Sequence, residues 1–125
     1  MLLELTIMRK DFKELLVWQQ AHLLTLEVYR ITQQFPQEER FGLSNQLRRA
    51  VVSVESNIAE GSARNTSRDF LQFLFVARGS LAKVEVQLLI AKDLGYITDD
   101  EFVQANTPRL SAMKLLQLLI KKISQ

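Results

Sequence analysis

Residues Phe70 to Ala91 read FLQFLFVARGSLAKVEVQLLIA. Within this run Phe70, Leu74, Ala77, Leu81, Val84, Leu88 and Ala91 recur at alternating spacings of four and three. Residues so spaced stack on one side of an α-helix, so the run carries a continuous apolar face. A half-buried strand would need alternation at every second residue, which is missing here. The pattern predicts a helix over about 67–94. Thr66 or Ser67 caps its start, Asp69 suits its first turn, and Gly95 closes it as a left-handed C′ residue.

The same periodicity recurs on either side. A helix is predicted over about 11–34, stopping before Phe35-Pro36. One of its apolar stripes is Val17, Ala21, Leu24, Val28 and Phe35, and a second is Leu15, Trp18, His22, Leu26 and Tyr29. Another helix is predicted over about 42–59, with a core stripe from Leu43 to Ile58 and Gly61 as its C′ residue. The last is predicted over about 99–123. It opens on Thr98-Asp99-Asp100-Glu101, a capping box, and its core stripe is Phe102, Ala105, Met113, Leu116, Ile120 and Ile123. Pro108 lies inside it and should either kink it or split it, with Thr107 recapping the second part. The loops are short, so sequential helices should be antiparallel neighbours. The expected fold is all-α, an antiparallel up-down-up-down four-helix bundle over residues 11–125 preceded by an extension over 1–10.

Composition agrees with a single globular unit. The chain has 125 residues, 47% of them apolar, with 4 Gly, 2 Pro and no Cys. Lack of Cys removes disulfides, thiolate metal sites and Cys nucleophiles together. No uncharged apolar run is long enough to span a bilayer. Met1 to Lys10 has a short apolar start that Glu4 interrupts, with neither a positive leader nor a small-residue cleavage site. The expected compartment is therefore the cytoplasm.

Apolar residues exceed what one bundle can hide. The third helix carries a second stripe of Leu71, Phe75, Ala82, Val86 and Leu89, about 120° from the first given the ~100° step per residue. Gly79 sits mid-helix on the side away from the core, where Gly costs about 1 kcal/mol relative to Ala. The close approach of a helix from another copy would compensate. These six positions form the expected subunit interface of a homo-oligomer.

Charge is close to balanced, at +2 with a pI of about 9.1. Between residues 40 and 68, however, five arginines (Arg40, Arg48, Arg49, Arg64, Arg68) face only Glu55 and Glu60. They are the candidate contacts to RNA or DNA, and are equally read as solvated residues on helix faces. A polar strip on the second helix, Gln46, Arg49, Ser53, Asn57 and Glu60, has two readings. It is either a binding strip or a hydrogen-bonded network between helices. In the network, Glu60 would pair with an arginine of another helix and Asn57 would satisfy loop backbone near Gly61.

No catalytic constellation can be assembled. The single histidine, His22, shares an apolar stripe with Trp18 and Tyr29, so it reads as a packed or interface residue. The inward glutamates and Glu-x-x-His pairs of a bundle di-metal site are missing, as are phosphate-binding glycine fingerprints. Asp99-Asp100-Glu101 suits a helix start without any metal. The expectation is a non-enzyme with no cofactor, no metal and no small-molecule substrate.

Phe41-Gly42-Leu43, Gln46-Leu47-Arg48-Arg49-Ala50 and Asn57-Ile58-Ala59-Glu60-Gly61 together carry a resemblance. Leu16-Val17-Trp18-Gln19-Gln20-Ala21, Phe35-Pro36, Ala77-Arg78-Gly79-Ser80-Leu81 and Leu94-Gly95-Tyr96 agree with it in order and spacing. The chain resembles, over about residues 11–123, the four-helix bundle proteins found as open reading frames inside intervening sequences of 23S ribosomal RNA genes. That resemblance implies a four-helix bundle assembled as a homopentameric ring, and implies no defined activity. A related group serves reverse transcriptases as a basic accessory subunit that binds nucleic acid. By analogy, a nucleic acid or a protein such as a reverse transcriptase is the implied partner. One departure follows Leu81: members often carry an acid two positions on, where this chain has Lys83, with Glu85 two residues later.

Overall fold

The computed structural model describes residues 11–125. The expected extension over 1–10 lies outside the described residues. Four helices account for most of the rest: α1 Leu16–Thr32, α2 Leu43–Ser62, α3 Ser67–Asp93 and α4 Asp99–Ser124. Short 3-10 turns at Phe12–Glu14 and Gln37–Glu39 precede α1 and α2. Each helix packs on the next in chain order and α4 closes on α1. The protein is an all-α, antiparallel four-helix bundle. The α1–α2 and α3–α4 corners share one end, and the α2–α3 turn lies at the other.

The stripe that decides the fold is completely buried. Phe70, Leu74, Ala77, Leu81, Val84, Leu88 and Ala91 all have 0% exposure. They meet Val17, Ala21, Leu24 and Val28 of α1, Leu47, Val51, Val54 and Ile58 of α2, and Ala105, Ala112 and Leu116 of α4 in one core. At about 25 cal/mol per Å2 of apolar surface removed from water, this contact outweighs any local propensity.

Helix boundaries differ from expectation where backbone groups find other partners. α1 starts at Leu16 rather than Asp11. The Asp11 carboxylate accepts the Lys13 amide at 3.0 Å, closing a 3-10 turn. Leu15 then sits extended and buried, as the pivot into the helix. α2 runs through Gly61 to Ser62, so Gly61 is not a left-handed cap. Its role is steric: a Cβ there would lie 2.8 Å from both Phe70 Cδ1 and Phe73 Cβ of α3. Gly95 does behave as read, with φ at 78°. The Tyr96 amide donates to the Ala91 carbonyl at 2.9 Å and the Gly95 amide to Lys92 at 3.0 Å, a Schellman closure.

The caps also form. Thr66 accepts from the Asp69 amide, and Thr98 and Glu101 exchange both bonds of a capping box. α4 continues through Pro108 without splitting. Thr107 does not recap it, because its hydroxyl donates back to the Val103 carbonyl at 2.8 Å. Ala105, Leu116, Ile120 and Ile123 of the expected core face of α4 are buried, and the face shifts at two positions. Ala112 and Pro108 are buried, while Phe102 and Met113 are only half-buried. None of the described helices is long and apolar enough to cross a membrane.

Candidate functional site

The polar strip of α2 divides into two parts. Ser53 Oγ lies 3.0 Å from Ser80 Oγ of α3. Asn57 Nδ2 donates to the Ser53 carbonyl at 2.7 Å and to Ser53 Oγ at 3.1 Å. This half-buried bridge ties α2 to α3. Asn57 therefore bonds back along its own helix instead of satisfying the loop near Gly61. Gln46, Arg49 and Glu60 are exposed. Among the described residues, no ion pair joins Glu60 to an arginine.

Three interhelical polar contacts are not legible as such in the sequence. His22 Nδ1 of α1 lies 3.1 Å from Glu55 Oε1 of α2, and Thr25 Oγ1 donates to Glu55 Oε2 at 2.6 Å. The Trp18 ring stacks on His22 with centroids 4.8 Å apart. His22 is thus packed, as its stripe suggests, but a carboxylate holds it. Arg48 Nε donates to Thr32 Oγ1 at 2.8 Å, with its guanidinium over the Tyr29 ring. Arg109, buried in α4, donates to Glu85 at 2.9 Å and to Asn106 at 2.6 Å. Glu85, two positions beyond Lys83, thus makes an ion pair. Nothing in the residue pattern marks Arg109, because it lies one residue beyond Pro108, in a stretch with a broken apolar periodicity.

The fold does not bring the five candidate arginines together. Arg40 sits at the α1–α2 corner over the exposed Phe41 ring. It shares a cleft of about 500 Å3 with Arg48. Arg49, exposed, follows on α2. Arg64 and Arg68 flank the α2–α3 turn at the opposite end, with Arg64 over the Phe73 ring. At 1.5 Å of rise per residue, the two groups stand about 20 Å apart along α2.

The apolar surplus is at the surface. Phe75, Val86 and Leu89 are 38%, 56% and 40% exposed. Ala82 and Gly79 lie beside them, with Leu71 half-buried. A Cβ on Gly79 would touch nothing within 4 Å, so no helix of this copy approaches it. On the other side, α1 and α4 expose Leu16, Leu23, Leu26 and Leu118. Because α1 and α3 lie diagonally, each packed between α2 and α4, the α1 leucines and the α3 cluster lie on different flanks of the bundle.

The amide of Thr98, helped by Gln34, holds the Glu101 carboxyl below its usual value. A hydrogen bond to Glu39 raises the Tyr96 hydroxyl, and the Glu27 carboxylate raises Arg30. Among the described residues, no group of three or more His, Cys, Asp or Glu could hold a metal ion.

Residues 13–117 match the family described as 23S rRNA-intervening sequence protein. The chain belongs to this family. A solved structure from Bacteroides thetaiotaomicron, described as a protein of unknown function from the S23 ribosomal protein family, has the same fold. Its TM-score is 0.78 at 22% identity, covering 85% of this chain and 99% of that one. No curated protein matches. The run that most resembles the intervening-sequence family lies on α2, and its residues divide by role. Leu47, Ile58 and Gly61 are core or close-packing positions, Asn57 bridges to Ser53, and Arg49 and Glu60 are exposed.

Proposed function

We propose that this intervening-sequence protein works as a non-enzymatic, self-associating bundle, whose assembled form holds nucleic acid through exposed arginines in the cytoplasm. One observation carries the reading: large apolar side chains are exposed on two different flanks, Phe75, Val86 and Leu89 on α3 and Leu16, Leu23 and Leu26 on α1. Isolated exposed leucines are ordinary, but two clusters on separate helices mark interaction surfaces. Two unlike surfaces on one chain favour head-to-tail contact, which closes into a ring when the rotation per copy permits. A ring of five is what the resemblance implies. Each ring would repeat the arginines once per copy, so weak phosphate contacts would add by multivalency.

The polar chemistry supports a role without catalysis. Glu55, Glu85 and His22 are engaged in contacts between helices, and no cofactor, metal or small-molecule substrate enters the proposal. Light scattering on eluted protein tests the assembly. The expected mass is a multiple of 14.4 kDa, and Val86→Glu or Leu23→Glu should shift it to one copy. A wild-type monomer overturns the reading. An intact oligomer that fails to bind RNA or DNA at low salt would leave a scaffold for a protein partner, such as a reverse transcriptase.

A further inference from the structure

Three clefts adjoin along α2. The first, at the α1–α2 corner, is lined by Arg40, Phe41, Asn45 and Arg48 among others. The second shares Asn45 and Arg48 with it and adds Tyr29 and Arg49. The third, of about 560 Å3, shares Arg49 and Ser53 with the second and is closed by Ser80, Lys83 and Gln87 of α3, with Val86 placing its outer rim at the border of the proposed subunit contact. Their linings overlap in one shallow trough that starts on the α1–α2 side, crosses the outward face of α2 at Arg48, Arg49 and Val52, and reaches the α2–α3 side.

Its lining has a pronounced bias. Arg40, Arg48, Arg49 and Lys83 face it, and none of the described residues lining it is Asp or Glu. The whole chain, by contrast, sets 14 acids against 16 lysines and arginines. Of the nearby acids, Glu38 lies outside the lining, and Glu39 and Glu55 are engaged in other contacts. Glu39 accepts the Leu43 amide at 3.2 Å and the Tyr96 hydroxyl at 2.9 Å. Glu55 is held on the α1 side by His22 and Thr25.

One further feature indicates what the trough takes. Phe41 is 85% exposed, and Arg40 covers only one face of its ring. Cations along a groove suit a phosphodiester backbone, and an open aromatic ring suits an unpaired base. Bases stacked within a duplex could not reach Phe41.

We infer that this trough is a track for single-stranded nucleic acid. Arg40, Arg48, Arg49 and Lys83 meet phosphates, and Phe41 stacks a base. Arg48 is already positioned by Thr32 and Tyr29. The inference rests on the nucleic-acid half of the proposed function and narrows it. Lys83 joins the site, while Arg64 and Arg68, beside Glu60 and Asp69 at the far end, leave it.

Fluorescence anisotropy with an end-labelled oligothymidylate, and with a duplex of equal length, tests this in the full chain. Arg49→Glu with Lys83→Glu should weaken single-strand binding about tenfold or more. It should also flatten the salt dependence by about 0.7 in log–log slope for each phosphate no longer neutralised. Arg64→Glu with Arg68→Glu should change affinity by less than about twofold. Phe41→Ala should weaken the single strand and leave the duplex unaffected. All these sites are exposed, and circular dichroism melts identify any variant that unfolds; Arg49→Gln with Lys83→Gln then replaces the reversal and should weaken binding in the same sense. If the far-end pair costs as much as the trough pair, the trough is wrong while the nucleic-acid reading survives. If Phe41→Ala has no effect, the single-strand commitment falls. If the wild type binds neither probe, both fall together.

Discussion

Helix α3 has two seams, and they are held by opposite means. Against α2 it closes on small groups. Gly61 admits the Phe70 ring and the Phe73 side chain where no Cβ would fit, and Ser53 meets Ser80 hydroxyl to hydroxyl. Against α4 it is joined by a charge pair, with Arg109 buried and reaching Glu85, which is half-exposed. The first seam should therefore respond most to added volume, and the second to a lost charge. One helix can therefore pack on two neighbours while each pairing keeps its own register.

The largest effect should come from volume. Gly61→Ala gains about 1 kcal/mol of helix propensity. It also forces a methyl to within 2.8 Å of Phe70 and Phe73. Overpacking a rigid site costs about 1–3 kcal/mol, and more with a larger group, so the clash outweighs the propensity. Gly61→Ala should lower Tm by several degrees and Gly61→Val by more, measured by thermal melts at fixed protein concentration. A stabilised Gly61→Ala would mean that α3 can shift away cheaply, and the contrast between the seams would vanish.

Charge should come next. Glu85→Ala leaves the Arg109 guanidinium, only 4% exposed, without its carboxylate. Breaking a fully buried pair costs about 3–5 kcal/mol. Glu85 is half in water and Asn106 keeps one bond to Arg109, so a cost of about 1–2 kcal/mol is expected after discounting for screening. Arg109→Met with Glu85→Gln should recover most of that loss, because a buried pair replaced by apolar packing is close to neutral. If the double variant is no better than Glu85→Ala, then Arg109 acts through its packing and not its charge.

The two seams also differ in how far they can be read from residues alone. Phe70 to Ala91 discloses its buried face because a seven-position apolar stripe allows one solution for a helix in water. Thr98 and Glu101 disclose their cap because the pairing is local in sequence. Gly61 misleads: a glycine near a helix end signals a left-handed turn or a close neighbour equally well, and only the position of α3 decides between them. Arg109 and Glu85 are separated by a helix reversal, so their pairing depends on the rotation of α4 about its axis. Pro108 disturbs the pattern that would otherwise fix that rotation. The arginines follow the same rule. Their number is plain from composition, but their division between two ends of α2 follows from its length, and the part played by Lys83 follows from how α3 lies beside it.

The smallest effect concerns the start of α4, at one end of the charge-held seam. Glu101 ionises more readily in the fold than in the open chain, chiefly because its carboxylate accepts the Thr98 amide and also a hydrogen from Gln34. A folded value below the unfolded one means that the ionised form stabilises the fold. That stabilisation is complete above the ordinary glutamate value of about 4.3, and it disappears as the pH falls through the lower folded value. Glu101→Gln keeps the capping-box geometry but removes the charge, so it should cost only a few tenths of a kcal/mol at neutral pH. The gap in Tm between wild type and Glu101→Gln should stay constant above about pH 5 and narrow as the pH falls below it. Thr98→Ala, which removes the other half of the box, should cost about 1 kcal/mol. It leaves in place the Thr98 amide and Gln34, which hold the Glu101 carboxylate, so the variant should keep most of the acid dependence of wild type. A gap that stays constant with pH would show that the hydrogen bonds of the box, and not the ionised carboxylate, set this end of the seam.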